Sequence, residues 1–407
     1  MSKQESQANA LPLRQSSELQ SNTEEALVGA VRTVDDSLET RMLSALEIFH
    51  YESRFRNQLF VLALEPEVSL SSIITDLRVL QASDIRIIAL CMESDALSEE
   101  LERWNLRGGK FSELTQDLDQ PLTAETPKHL REQLKENAIP VLMLKSTKEH
   151  TRASAAQAIA LHALEIAERL KGLKVFLLST FRGLEVDGQF QSHPSEDDVT
   201  EFLNGTKAIN IGREQLAFIR DQNRKRRLEI VLLDAKSGSL FQEIFTHRGR
   251  GTLFTKDYPN IVRRGELRDV TEISLLMKPS ITTGSMLPMS EDKIAEHIHE
   301  FLVYTINGAI VASAWLVDYG EWVEAAKICT LPRFQGKGRA RQLVLQLIEE
   351  AKKVNKRLLF SLSVEARMWQ FFESLGFEEI PREHLPAKWL ENYNLSRPSK
   401  AFVYRIL

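Results

Sequence analysis

The sequence predicts an α/β protein in two parts, a three-layer parallel-sheet domain followed by a mixed-sheet domain. Three observations carry this expectation. In the first half, short apolar runs alternate with amphipathic helical stretches, the pattern of a doubly wound parallel sheet. In the second half, Asn307-Gly308 separates two apolar runs, a strong hairpin signal that implies antiparallel neighbours. Further on, Thr330-Leu-Pro-Arg-Phe-Gln-Gly-Lys-Gly-Arg-Ala340 places two glycines between a strand-like segment and a basic amphipathic helix. Such a turn lets backbone amides converge at a helix N-terminus, where a phosphate is favoured.

With 407 residues, two domains are expected, and a 43% apolar content supplies ordinary cores. No apolar run approaches the ~18 residues of a membrane span. Residues 1–23 are rich in Ser, Gln and Asn and lack the apolar core of a secretion signal, so they read as a disordered leader. Cys91 and Cys329 lie far apart in apolar stretches. They argue against a disulfide framework or zinc site and fit a reducing, cytoplasmic compartment. A net charge of −5 gives no reason to expect nucleic acid, and the basic run Arg220–Arg227 reads as a solvated helix end.

The elements follow from periodicity. Residues 24–56 read as helix, Gln58–Leu64 as a buried strand, Ile73–Leu80 as helix and Ile85–Cys91 as strand. Residues 93–137 are polar and give no clear pattern. Strand Ile139–Leu144, the Ala-rich helix 152–171 and strand Lys174–Ser179 come next, followed by a turn-rich excursion over 181–188. Helices near 196–204 and 212–223, strand Leu228–Leu233 and a helix ending near Phe245 complete a first domain over 24–254. Residues 255–260 read as a polar hinge. In the second domain, 261–407, the expected order is strand 261–267, a helix capped by Asp269, helix 291–299, strands 301–306 and 309–317, and strand 324–331. Helix 337–353, strand 358–362, helix 365–375 and strand 401–406 finish it.

Gln335-x-x-Gly338-x-Ala340, followed by Phe371-Phe-Glu-Ser-Leu-Gly-Phe377, resembles the acyl-CoA pyrophosphate loop and late helix of the GNAT acetyltransferases. Leu177–Gly188 and Gly238–Leu253 resemble the later part of the amino-acid kinase fold. The whole arrangement is similar to the bacterial N-acetylglutamate synthases, over about residues 40–407 and best from 324 onward. Departures are equally plain. Where a kinase carries K-x-G-G after its first strand, this chain has Leu64-Glu65-Pro66-Glu67, which offers carboxylates where phosphate donors are needed. Phosphoryl transfer is therefore not expected, and the first domain reads as one for assembly or small-molecule sensing.

The resemblance implies an acetyl-CoA-dependent N-acetyltransferase acting on an amino acid, glutamate first, in arginine biosynthesis. It also implies self-association and control by arginine, and no metal. It puts the cofactor on Cys329, Thr330, Leu331, Gln335, Gly336, Lys337, Gly338, Arg339 and Ala340, with amides around Cys329–Leu331 polarising the thioester oxygen. Glu324 becomes the general base acting through water. The family's thiolate-facing tyrosine is replaced by Phe372, which leaves Ser361 and Ser363 as candidates for that role. Arg397, Ser399 and Lys400 match substrate-binding positions, and Ser313 stands where the family has a cysteine. Pro288 and Met289 occupy positions where the family has arginines, so a different amine, or a non-catalytic acetyl-CoA or amino-acid sensing module, stays open beside glutamate.

Overall fold

The computed structural model describes residues 36–226, 228–246, 249–255, 261–306 and 308–406. The leader, residues 24–35 of the first expected helix and nearly all of the hinge lie outside them. The chain divides into two units, Met1–Glu47 and Ile48–Leu407. Helix α1 (Asp36–Phe55) is the only described element of the first unit, and it continues into the second.

The first sheet has seven strands in the order β3-β4-β2-β1-β5-β8-β9. They are β1 (Leu59–Leu64), β2 (Arg86–Met92), β3 (Phe111–Asp117), β4 (Ile139–Lys145), β5 (Lys174–Ser179), β8 (Glu229–Asp234) and β9 (Thr252–Phe254). All pair in parallel except β9, which runs against β8. The small hairpin β6 (Glu185–Val186) and β7 (Gln189–Phe190) stands apart from this sheet. Strand β1 shows why the domain has three layers. Phe60, Leu62 and Leu64 join one apolar cluster with α2 (Ile74–Ala82), α3 (Asp95–Leu106) and α8 (Ser239–Phe245). Leu59, Val61 and Ala63 join another with α4 (Thr126–Lys135), α5 (Arg152–Leu170) and α7 (Arg213–Lys225). Successive side chains of a strand face opposite ways, so a continuous apolar run buries both faces. Helix α6 (Glu196–Asn204) begins with a capping box between Ser195 and Asp198.

The unassigned stretch 93–137 folds as α3, β3 and α4. Ser94 caps α3 by accepting from the Leu97 amide at 3.2 Å. β3 is an edge strand that reads Phe-Ser-Glu-Leu-Thr-Gln-Asp, too polar to show itself by hydrophobicity. At the end of β1, Glu65 accepts from Gln215 of α7 at 2.9 Å, and Arg152 of α5 pairs with Glu67 at 2.7 Å. These carboxylates are tied to neighbouring helices rather than free in a loop.

The second sheet runs β10-β11-β12-β13-β14-β16-β15, with β10 (Ile261–Arg264), β11 (Phe301–Ile306), β12 (Ala309–Tyr319), β13 (Trp322–Thr330), β14 (Leu358–Ser363), β15 (Glu378–Ile380) and β16 (Lys400–Arg405). It is mixed, since β13 and β14 are parallel and the other pairs antiparallel. The hairpin β11–β12 forms as expected, with Gly308 at φ 75°. Helices α9 (Val270–Thr282), α10 (Glu291–Glu296), α11 (Arg339–Lys353), α12 (Ala366–Glu373) and α13 (Ala387–Leu390) accompany it. The expectation for Asp269 needs correction. Its side chain does not cap α9; it accepts from the Glu266 amide at 2.8 Å and is held by Arg263.

One apolar cluster runs through both sheets, and a buried ion pair fastens them. Arg333, on the short turn Pro332–Phe334, meets Glu243 of α8 with both terminal nitrogens, at 2.7 and 2.6 Å. It also donates to the Gly251 carbonyl at 2.9 Å. Both side chains are almost wholly buried, at 7% and 1% exposure. Glu243 further accepts from the amides of Arg250 and Gly251 at 2.6 and 2.8 Å, and Arg333 helps hold its pKa below the usual carboxylate value against the cost of burial. Arg333→Met leaves that carboxylate charged and short of its counter-ion, and such losses cost about 3–5 kcal/mol. Urea unfolding should show a drop of that order, with part of it recovered in the Glu243→Met/Arg333→Met double variant.

Candidate functional site

The site originates in a disagreement between two strands. β13 and β14 hold register for three pairs only, Trp322↔Leu358, Val323↔Leu359 and Glu324↔Phe360. Beyond Glu324, β13 stays with β12 as far as Thr330, while β14 stays with β16 as far as Ser363. The cause is an irregularity in β13. Between Ala326 (opposite Trp315) and Cys329 (opposite Ser313) it carries one residue more than β12, and Lys327 there takes φ 51°. A bulge of this kind bends its strand away from its neighbour. The fork that opens is a cavity of about 480 Å³ lined by Glu324–Thr330 on one side and Ser361–Val364 on the other.

One end of the cavity is the turn into α11. Gly336 and Gly338 both have positive φ, at 75° and 74°, and Gly338 is the residue from which α11 starts. No side chain caps this helix, so the amides of its first turn have no intrahelical acceptor and face the cavity mouth as donors. Gln335, Gly336, Gly338, Arg339, Ala340 and Arg341 line it. Gln335 is itself held by donating to the Thr330 carbonyl at 3.0 Å and accepting from Arg367 at 3.1 Å. Just past β13, Leu331 donates its amide to the Val311 carbonyl at 2.9 Å. Amides alternate sides along a strand, so the Thr330 N–H turns the other way, into the fork.

At the vertex stands Glu324. Burial pushes its pKa up to about 7, against the pull of Lys327 and of hydrogen bonds from Trp389 and Tyr319. Tyr319 is raised in turn to about 12 by burial and by this carboxylate. Trp389, on α13, is buried among Phe360, Leu385, Ala401 and Val403, which fixes the indole that holds the glutamate. Ser361 is buried and donates to the Ala325 carbonyl at 2.7 Å, bridging the two strands just where they part. Ser363 accepts from the Glu365 amide at 3.1 Å, so its own proton is still available at the cavity wall.

The cavity brings together most of the residues expected from sequence: Glu324, Cys329, Thr330, Gln335, Gly336, Gly338, Arg339, Ala340, Ser361, Ser363, Arg397 and Ser399. Four lie off it. Leu331 is buried, with its amide spent on Val311. Ser313 is wholly buried behind the wall, 3.3 Å from the Cys329 sulfur. Lys337 reaches across to Asp198 of α6. Lys400 pairs with Glu379 at 2.8 Å and lies over the Trp369 ring. Ser361 lines the cavity but its hydroxyl is committed to a backbone carbonyl. Ser285, Met286 and Leu287 form the wall contributed by the loop after α9, whereas Pro288 and Met289 do not line it. The residues that sequence reading missed are Lys327, Tyr319, Trp389 and Arg333. A lysine inside a half-buried strand was the one available signal among them.

An uncapped helix after a glycine turn, facing a fork in a mixed sheet, defines the acetyltransferase (GNAT) fold, and residues 297–379 match the model of that domain. The chain as a whole, kinase-like sheet included, is similar in fold to the N-acetylglutamate synthase from Neisseria gonorrhoeae complexed with coenzyme A and L-arginine. The TM-score is 0.56 at 20% identity, over 88% of this chain and 97% of that one. Among curated proteins, an amino-acid acetyltransferase of Neisseria meningitidis is 29% identical over 179 residues, and one of Pseudomonas putida 30% over 170. These matches take in 43% and 41% of this chain, and the chain spans 41% and 39% of the length of those relatives.

A carboxyl whose pKa is higher folded than unfolded favours the fold when protonated. The stability it lends is full below the unfolded value near 4.5 and is lost as pH rises through about 7. Comparing urea unfolding of wild type and Glu324→Gln from pH 5 to 8 should therefore show the variant gaining on wild type as pH rises. A constant difference would mean that Glu324 titrates normally.

Proposed function

We propose that the chain is an acetyl-CoA-dependent N-acetyltransferase acting on the α-amine of an amino acid, with glutamate the leading acceptor. The observation that carries this reading is the forked cavity, which joins the uncapped N-terminus of α11 to a carboxyl poised near neutrality. Two comparisons support it. Curated relatives that match 43% and 41% of this chain are amino-acid acetyltransferases, and the synthase that shares its fold is complexed with coenzyme A.

In this reading, amides from Gly336 to Arg341 receive the pyrophosphate of acetyl-CoA, and the pantetheine arm lies along the fork. The Thr330 N–H polarises the thioester carbonyl. Glu324, ionised at and above neutral pH, takes the proton of the attacking amine through water. As the C–N bond forms and the C–S bond breaks, Ser363 offers its hydroxyl to the departing sulfur. Arg397 receives a carboxylate of the acceptor. The first domain, 24–254, has no catalytic part in this scheme and serves assembly or small-molecule sensing; residues 255–260 join it to the acetyltransferase domain, 261–407. The cytoplasm is the compartment in which this chemistry would run.

The test is the rate of thiol release from acetyl-CoA with glutamate. Wild-type kcat/KM should rise with pH and level off above about 7, because the ionised form of Glu324 is the active one. Glu324→Gln should lose roughly 10²–10⁴-fold in kcat, the usual worth of a general base, together with that acidic limb. Unchanged kinetics in the variant would remove Glu324 from the mechanism, and failure to bind coenzyme A in calorimetry would remove the reading altogether.

A further inference from the structure

The turn before α11 offers a single side chain between its two glycines. Gly336 and Gly338 hold positive φ, at 75° and 74°, with Lys337 between them. Glycine loses more backbone freedom on ordering than any other residue. A turn built on two of them needs an anchor if its amides are to point at one spot. Lys337 provides one by pairing with Asp198 at the start of α6, each side chain 32% exposed.

Asp198 is itself fixed. Its carboxylate accepts from the Ser195 amide at 2.7 Å, and its own amide donates to the Ser195 hydroxyl at 3.1 Å. This capping box holds the carboxylate at a helix end. Burial raises its pKa, but Lys337 and Ser195 outweigh burial and keep it ionised at neutral pH. The same segment steadies the turn a second time, three residues before Lys337. The His193 ring lies 4.9 Å from that of Phe334, and His193 Nε2 is 2.9 Å from the Thr255 hydroxyl. From the α11 side, the Arg339 guanidinium lies 5.3 Å from the Phe334 ring and donates to the Phe334 carbonyl at 3.1 Å.

An ionised carboxylate beside an anion-binding turn opposes the anion by Coulomb repulsion. Its presence there is offset only by something else it does for the turn. We infer that Asp198 is a positioning residue for the diphosphate of coenzyme A, acting from the first domain through Lys337. This rests on the acetyltransferase reading and deepens it. Lys337 is part of the strut and not a ligand of the phosphates, since it is turned to Asp198 and does not line the cavity. Holding the turn in its binding shape beforehand lowers the ordering that the cofactor must supply.

The experiment is calorimetry of coenzyme A on the full chain, beside steady-state kinetics with acetyl-CoA and glutamate. Asp198→Asn keeps the shape of the side chain and an oxygen for the Ser195 amide. It should weaken coenzyme A at least about five-fold and raise KM for acetyl-CoA in step. At saturating acetyl-CoA, kcat and KM for glutamate should stay within about two-fold of wild type, a split that general damage to the fold would not give. Lys337→Met should weaken coenzyme A comparably, and the double variant no further than the weaker single, because the pair acts as one unit. Thermal melting of all three checks that they fold. Unchanged or tighter binding in Asp198→Asn overturns the inference and leaves the acetyltransferase reading standing. Additive losses in the double variant overturn it too, since Lys337 would then act on the phosphates by itself. A wild type that does not bind coenzyme A removes the reading and the inference together.

Discussion

The structure depends on the parting of β13 and β14. Two parallel strands that share three residue pairs and then separate leave backbone groups without ladder partners on both inner edges. A folded protein rarely leaves buried backbone groups unpaired. Here the debt is met in part by Ser361, whose hydroxyl reaches the Ala325 carbonyl at the branching point, while amides such as that of Thr330 turn into the opening. A single extra residue in β13 thus opens the fork just past Glu324 and turns Lys327 toward it.

The loop at the far end of that opening is not free-standing. Two residues before Gln335, Arg333 is buried against Glu243, and two residues after it, Lys337 is paired with Asp198. Between them, the ring of Phe334 lies 4.9 Å from that of His193, whose pKa burial lowers to about 3, helped by Arg339, Arg333 and Lys337. A neutral imidazole is what such a cationic neighbourhood favours. All three partners of the loop, Glu243, Asp198 and His193, belong to the kinase-like part. That part supplies the footing on which the glycine turn stands.

Much of this was legible beforehand, and for definable reasons. Buried parallel strands read as continuous apolar runs, so β1, β2, β4, β5 and β8 stood out, and the glycine turn before α11 was visible because positive φ demands glycine. The edge strand β3 was not, because most of its residues are polar and only Phe111 and Gln116 are buried. Asp269 was misjudged because an aspartate before a helix caps by default, and here a nearby arginine competes for it. Three of the misplaced site residues share one cause. Lys337, Lys400 and Leu331 lie next to true lining residues in sequence, but alternation along a strand or the turn of a loop sends them the other way. Ser313 fails differently, being sealed behind Cys329. Tyr319 reaches Glu324 across the β12–β13 hairpin, which strand periodicity does not reveal, and Trp389 gave no signal because its contact with Glu324 is made only when a distant segment meets that hairpin.

Lys327 carries a consequence of its own. It holds φ 51°, a left-handed backbone that costs a residue with a Cβ roughly 1–2 kcal/mol and costs glycine almost nothing. It also brings a solvated ammonium into a half-buried wall. Both features weigh against the fold, so durability by itself would favour another residue at this position. Selection for thermal endurance alone would drift toward glycine here, and would quietly erase the positive charge from the pocket while every strand stayed in place.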